Sequence, residues 1–283
     1  MKMPLDCLPC MLRQVLEAAG MATKDSVIQE KIMEEAAALL PEFRQYRCAP
    51  EMCEVLHAVV RRHTGVSDPY AAVKARDIAT ALRFEPLLTR YAGEDGHPLE
   101  RLLKIAATGN VMDSAVYGGQ DMESRLVTEL ELPFAADDFA AFREQLEIAR
   151  TVLILGDNAG EVVFDKLLTR YLSGSSEVYY AVRGGPALND ATVEDAIRTG
   201  IGAYATLVST GCTMPGTLYE ACDPDFRQLF DRADLVISKG QGNYEALSEV
   251  PRGLFFLLKA KCAKIAASLG VEQGAYVFRA HNV

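Results

Sequence analysis

The sequence predicts an α/β protein, a three-layer α/β/α doubly wound fold with a mainly parallel sheet, preceded by an N-terminal all-helical domain. Three observations predict it. Residues 1–140 carry helical periodicity only, short apolar or β-branched runs recur after residue 150, and amphipathic helical patterns fill the gaps between those runs.

In the first part, 25-DSVIQEKIMEEAAALL-40 aligns Ile28, Ile32, Ala36 and Leu40 on one helical face, and Pro41 ends the pattern. The segment 51-EMCEVLHAVVRRH-63 does the same through Met52, Val55, Leu56, Val59 and Val60. Ser67-Asp68-Pro69 and the stretch from Gly93 to Pro98 read as breaks between helices. No segment before residue 140 reads as a strand. The expected division is therefore a helical domain over 1–140 and an α/β domain over 141–283.

The runs of the second part are TVLILG (151–156), EVYYAVRG (177–184), YATLVST (204–210), DLVISKG (234–240) and GLFFLLKA (253–260). Continuous apolar runs between helices are the signature of parallel strands buried on both faces. The intervening 161-EVVFDKLLTRYL-172 is an amphipathic helix. No repeat of fixed period and no low-complexity stretch interrupts this pattern.

Composition agrees. The 283 residues are 49% hydrophobic and 24% charged, enough to bury a large core and unlike disorder or coiled coil. A net charge of −10 argues against nucleic acid as a partner, since Arg61–Arg62 is an isolated basic pair rather than a patch. No apolar run reaches the length of a membrane span, and MKMPLDCLPC lacks the apolar core of a secretory signal. A cytoplasmic protein with reduced thiols is expected, without a disulfide framework, because the seven cysteines are odd in number and scattered. None of these features sets an oligomeric state.

Ligands of open α/β sheets bind beyond the carboxyl ends of the strands. The polar residues there are Asp157 and Asn158, then Arg183 with Asp190 a short loop later, Ser209 and Thr210, Lys239, and finally Lys259 and Lys261. Two carboxylates and an amide oxygen are hard donors that suit a divalent cation such as Mg²⁺ or Mn²⁺. The lysines suit an anion, and the Gly-rich turns GDNAGE and STGCTMPG would add backbone N–H groups for phosphate oxygens. A cation and lysines around one phosphoryl group is an arrangement that stabilises phosphoryl transfer. Each residue alone has a plainer use: Asp157 or Asp190 as a helix N-cap, Lys239 as a solvated turn residue. Their joint occurrence at successive strand ends favours a site.

At these residues the chain resembles the damage-control metal-dependent phosphatases, once catalogued as domain of unknown function eighty-nine. The likeness rests on GDNAGE (156–161), GGPALND (184–190) and KGQGNYE (239–245), with GNVMD (109–113) and the N-terminal CLPC fitting the archaeal and bacterial branch that carries a CxxC pair. The resemblance implies a helical domain on a three-layer α/β/α domain. It also implies a divalent metal (Mg, Mn, Co, Ni or Fe) held by Asp157, Asn158 and Asp190. Lys239 and Asn243 match the family's KGxxN turn, and Asn110 and Asp113 its GNxxD turn near the substrate. Lys259 falls where other branches carry an RTxK motif. Here Phe255 to Leu258 supply no arginine, a departure that bears on substrate identity.

The reaction expected is hydrolysis of a small phosphate monoester, a sugar phosphate or a damaged phosphometabolite, with Lys239, Lys259 and Thr210 on the substrate side. Either Asp157 attacks phosphorus or it orients an attacking water; the sequence leaves both open. Cys7 and Cys10 have zinc-ligand or redox spacing, and Cys48 and Cys53 would complete a loose four-thiolate structural metal site, unless all four pack in helices. The four histidines read as structural or surface residues, and there is no GxSxG elbow. One rival is a Rossmann-like cofactor enzyme such as a methyltransferase or dehydrogenase, for which GQGNYE lacks the third glycine of the fingerprint. Another is a non-catalytic cysteine-based sensor, which would have lost the metal ligands that this chain keeps.

Overall fold

The computed structural model describes residues 1–93, 99–110 and 122–283. Its centre is a seven-stranded sheet in the order β1-β7-β6-β5-β2-β3-β4. The five expected runs form β2 (Thr151–Leu155), β3 (Glu177–Val182), β4 (Thr206–Ser209), β5 (Leu235–Lys239) and β6 (Leu254–Lys259), all mutually parallel. Two strands were not expected. β1 (Phe134–Asp137) lies in the part read as wholly helical, and β7 (Tyr276–His281) runs antiparallel to β6 and parallel to β1. The pair extends one edge of the sheet with reversed polarity.

Alternate side chains of each buried strand enter opposite cores, as a pleat requires. Val152 and Ile154 of β2, Leu235 and Ile237 of β5 and Phe255 and Leu257 of β6 face one core. That core also holds α4 (Ala71–Ala92), α5 (Leu99–Thr108), α6 (Met122–Glu131), α7 (Phe139–Ile148), α8 (Glu161–Leu172) and α9 (Val193–Thr199). Leu153, Leu155, Val236 and Phe256 face the other, beneath α10 (Pro224–Arg232), α11 (Gly240–Leu247) and α12 (Ala263–Leu269). The result is the expected three-layer α/β/α architecture.

A third core unites α1 (Cys7–Ala22), α2 (Ser26–Leu39) and α3 (Ala49–Thr64) through residues such as Val15, Ile32, Met52, Leu56 and Val60. The helices before residue 140 therefore divide between two cores: α1 to α3 pack on one another, and α4 to α6 bury Ile78, Leu103 and Leu126 against the sheet. The stretch 94–98, within the expected break, lies outside the described residues. Among the described residues, no helix is long and apolar enough to cross a membrane.

Chain order fixes where a ligand can bind. From β2 the chain winds outward through β3 to β4, then returns to β5 on the opposite side of β2. The ends of β2 and β5 thus flank the crevice at which doubly wound sheets take their ligands.

Candidate active site

The two acidic loops are laced together by their backbones. Asn158 and Asp190 form an isolated antiparallel bridge, Ala191 N donates to Asp157 O at 2.8 Å, and Ala159 N donates to Asn189 O at 2.9 Å. Asp157, Asn158 and Asp190 are consequently brought to one place, all buried. Neither aspartate is a helix cap: α8 begins at Glu161 after Gly160, and α9 is capped by Thr192 in a capping box with Asp195.

Both carboxylates meet one guanidinium. Arg183, at the end of β3 and 1% exposed, donates from Nε to Asp190 Oδ2 at 2.7 Å, and its Nη2 lies 3.8 Å from Asp157 Oδ1. Nη1 donates to Thr217 Oγ1 at 2.8 Å, which fixes the plane of the group. Burial would push the Arg183 pKa down, but Asp190 and Asp157 outweigh it and the net shift is upward. Arg183 is thus a counter-ion common to both carboxylates. The Asp157 carboxyl stands well above the usual range, first because of burial and then because of Asp190 and Glu161, against the pull of Lys261 and Arg183.

The raised Asp157 carboxyl, pressed by Asp190 and Glu161, is the observation against which a metal is tested, and the donor set fits. Two carboxylates and a carboxamide are hard ligands. Asn158 Nδ2 is buried without a hydrogen-bond partner among the described residues, which leaves the amide free to turn its oxygen to a cation. Among the described residues, no group of three or more His, Cys, Asp or Glu gathers closely enough to hold a metal. The third donor at this site is an amide, outside that set.

Lys239 is not a solvent-facing anion ligand. It is 0% exposed, and its ammonium contacts Glu161 Oε1 and Asp165 Oδ1, each at 2.5 Å, and Ala106 O at 3.0 Å. Burial lowers the Lys239 pKa, but Asp165 and Glu161 outweigh burial and raise it overall. Tyr180 donates to Asp165 at 2.6 Å, and Asn110 Nδ2 donates to Glu161 at 3.2 Å. This buried network props the floor of the site and ties α5 and α8 to β5.

Asn243 frames the rim from behind. Its Oδ1 accepts from Thr217 N at 2.7 Å, while its Nδ2 donates to Gly156 O and Lys239 O. One amide thereby joins the turns after β2 and β5 to the loop that holds Arg183. Thr210 is wholly buried, and its Oγ1 accepts from Cys212 N at 3.2 Å. The glycines of GQGN serve packing: a Cβ on Gly240, where φ is +78°, would strike Asp157, and one on Gly242 would lie 2.9 Å from Pro215 O.

Lys259 sits apart from this network, donating to Glu129 at 2.6 Å beside Tyr276. Asp113 lies outside the described residues. The four cysteines of the expected thiolate site are free thiols, Cys7 half-buried, Cys10 exposed, and Cys48 and Cys53 buried, the last donating to Gln14 Oε1 at 3.7 Å. Sequence reasoning placed Arg183 at a strand end without giving it a role, and missed Glu161 and Asp165. Their i, i+4 spacing on α8, opposite a strand-end lysine, was the available signal.

A family model described as Damage-control phosphatase ARMT1-like domain matches residues 3–277. A damage-control phosphatase of Pyrococcus horikoshii is 34% identical over 282 residues, covering 98% of this chain and 97% of that protein. A damage-control phosphatase of Archaeoglobus fulgidus is 31% identical over 287 residues, covering 98% of each. The crystal structure of a DUF89 family protein of Pyrococcus horikoshii matches with a TM-score of 0.92 at 33% identity, over 100% of both chains.

Proposed function

This chain belongs to the damage-control phosphatase ARMT1-like family, and on that premise we propose that it is a metal-dependent hydrolase of small phosphate monoesters such as sugar phosphates or damaged phosphometabolites. The observation that carries the reading is the convergence of Asp157 and Asp190, two buried carboxylates that share a single guanidinium.

Asp157, Asn158 and Asp190 would hold the cation, one of Mg²⁺, Mn²⁺, Co²⁺, Ni²⁺ or Fe²⁺. When bound, it would supply concentrated positive charge that offsets the negative charge developing on phosphoryl oxygens. The protein groups do the rest. Arg183 favours the ionised form of both carboxylates and holds Asp190 in place through its Nε bond. Asn243 and Thr217 hold that guanidinium and the neighbouring strand ends rigid. Lys239 is the shared counter-ion of Glu161 and Asp165 below the site, so its charge supports the scaffold before it can serve phosphate. Lys261 is exposed and close enough to Asp157 to oppose the rise of its carboxyl.

The test is turnover of p-nitrophenyl phosphate after chelation and after adding each cation in turn. Activity is expected only with metal. Asp157→Ala should lose both calorimetric Mn²⁺ binding and turnover; retention of both refutes the assignment.

A further inference from the structure

One buried cation lies outside everything described above. Lys104, in α5, is 5% exposed, and its Nζ has no hydrogen-bond partner among the described residues. The ammonium rests 3.2 Å from the centroid of the Tyr276 ring. On the same ring, 4.9 Å from its centroid, lies the ammonium of Lys259. The carboxylate here is Glu129, and it already accepts from Lys259 at 2.6 Å and from the Tyr276 hydroxyl at 2.8 Å. Two ammoniums therefore face one carboxylate, and one of the two has three N–H groups with no acceptor among the described residues.

A buried ammonium without an acceptor is costly, and an aromatic face offsets only part of that cost. Met or Leu would fill the same space on α5 without it. A lysine kept in this state is explained if an oxyanion completes its shell at some stage of function. The place agrees with that role. Lys239 of the active-site floor bonds to Ala106 O, two residues beyond Lys104, and Asn110 at the end of the same segment bonds to Glu161. Lys259 ends β6, the direct neighbour of β5. Burial first, and the charge of Glu161 in smaller part, hold the Tyr276 hydroxyl protonated.

We propose that Lys104 and Lys259 form a second anion-binding point, selecting phosphorylated metabolites that carry another oxyanion, a carboxylate or a second phosphate. The phosphate group itself would go to the site of Asp157, Asn158 and Asp190, so the inference rests on the phosphatase reading. The groups that face Lys104 are Glu129 from α6, Lys259 from β6 and Tyr276 from β7, with the Phe134 ring of β1 behind them. Burial lowers the Lys104 pKa to about 7, with Lys259 adding to the shift and Glu129 opposing it. An arriving oxyanion would thus draw a proton onto Lys104 at neutral pH and above.

The test is calorimetric binding to the Mn²⁺-loaded protein. The probes are phosphonoacetate and 3-phosphonopropionate, each against the alkylphosphonate of equal length without the carboxylate. The wild type is expected to bind at least one carboxylated probe about tenfold more tightly than its control, a difference of about 1.4 kcal/mol. Proton uptake should show as a dependence of the heat on buffer. In Lys104→Met the ratio should fall to within twofold, and Lys104→Gln should repeat this if the first variant unfolds. A wild-type ratio near one for both pairs, or an unchanged ratio in the variants, overturns the proposal. Failure of the wild type to turn over p-nitrophenyl phosphate with any cation would instead sink the phosphatase reading, and the binding ratio would still judge the anion point.

Discussion

A methyl group placed on Gly240 would stand 1.9 Å from Asp157 Oδ2. The first residue of α11 has to be glycine on two grounds, its φ of +78° and the carboxylate pressed against its Cα. Gly240→Ala would cost about 1–2 kcal/mol for the backbone alone, and the clash would displace Asp157. The expected outcome is a lowered melting temperature together with at least tenfold weaker Mn²⁺ binding by calorimetry. Wild-type affinity in this variant would show that Asp157 is not a ligand held by that contact.

Arg183 offers a test of the charge argument. Replacing it by Met leaves Asp157 and Asp190 buried without their shared counter-ion, a loss of about 3–5 kcal/mol when one partner of a buried pair is removed. A divalent cation should recover part of it. Thermal melts are expected to show a larger Mn²⁺-induced rise for Arg183→Met than for the wild type. An equal rise in both would mean that the cation does not neutralise these two carboxylates.

The parts legible in the sequence are those decided locally. Runs such as LVISK and LFFLLK are apolar throughout because helices cover both faces, so β2 to β6 could be read without knowing their partners. β1 is four residues of alternating half-burial, and β7 trails into Arg279, Ala280 and His281. Each becomes a strand only by pairing with a residue set more than a hundred positions away or with β6. The site divided in the same way. Asp157, Asn158 and Asp190 announced themselves by following strands, whereas the burial of Lys239 depends on Glu161 and Asp165 from a helix some 75 residues earlier, about the separation that the contact itself spans. No run of neighbouring residues encodes that contact.

The Lys239 network makes a sharp contrast between two variants. Burial raises the pKa of Glu161 and of Asp165, and Lys239 opposes the rise in each. Lys239→Met strips both acids of their cation and is expected to cost about 3–5 kcal/mol in urea denaturation. Asp165→Asn leaves one ammonium against one carboxylate and keeps an oxygen for Lys239, so its cost should be much the smaller. Equal costs would remove the claim that Lys239 is first a structural counter-ion. A Lys239→Met protein that keeps its stability but loses turnover would return it to the substrate.

His57 borders the cleft between the helical unit and the acidic loop, and its protonation should be felt there. It lies on α3 beside a narrow cleft walled by Pro186, Ala187 and Leu188, the residues that lead into Asp190, and its Nε2 has no hydrogen-bond partner among the described residues. Leu188, held at a φ of +50°, packs on the core of α1 to α3 from that loop. Burial lowers the His57 pKa to about 4, and Arg61 adds to the shift. The unfolded chain therefore takes up a proton near pH 6.5 that the folded protein refuses until about pH 4, and stability must fall as pH falls through that window. At 1.36 kcal/mol per unit, the loss between pH 7 and pH 5 from this residue is about 2 kcal/mol. Chemical denaturation at the two pH values should show it in the wild type and not in His57→Leu. If the variant keeps the same dependence, His57 is not the group that destabilises the contact between α3 and the loop of Asp190 in acid.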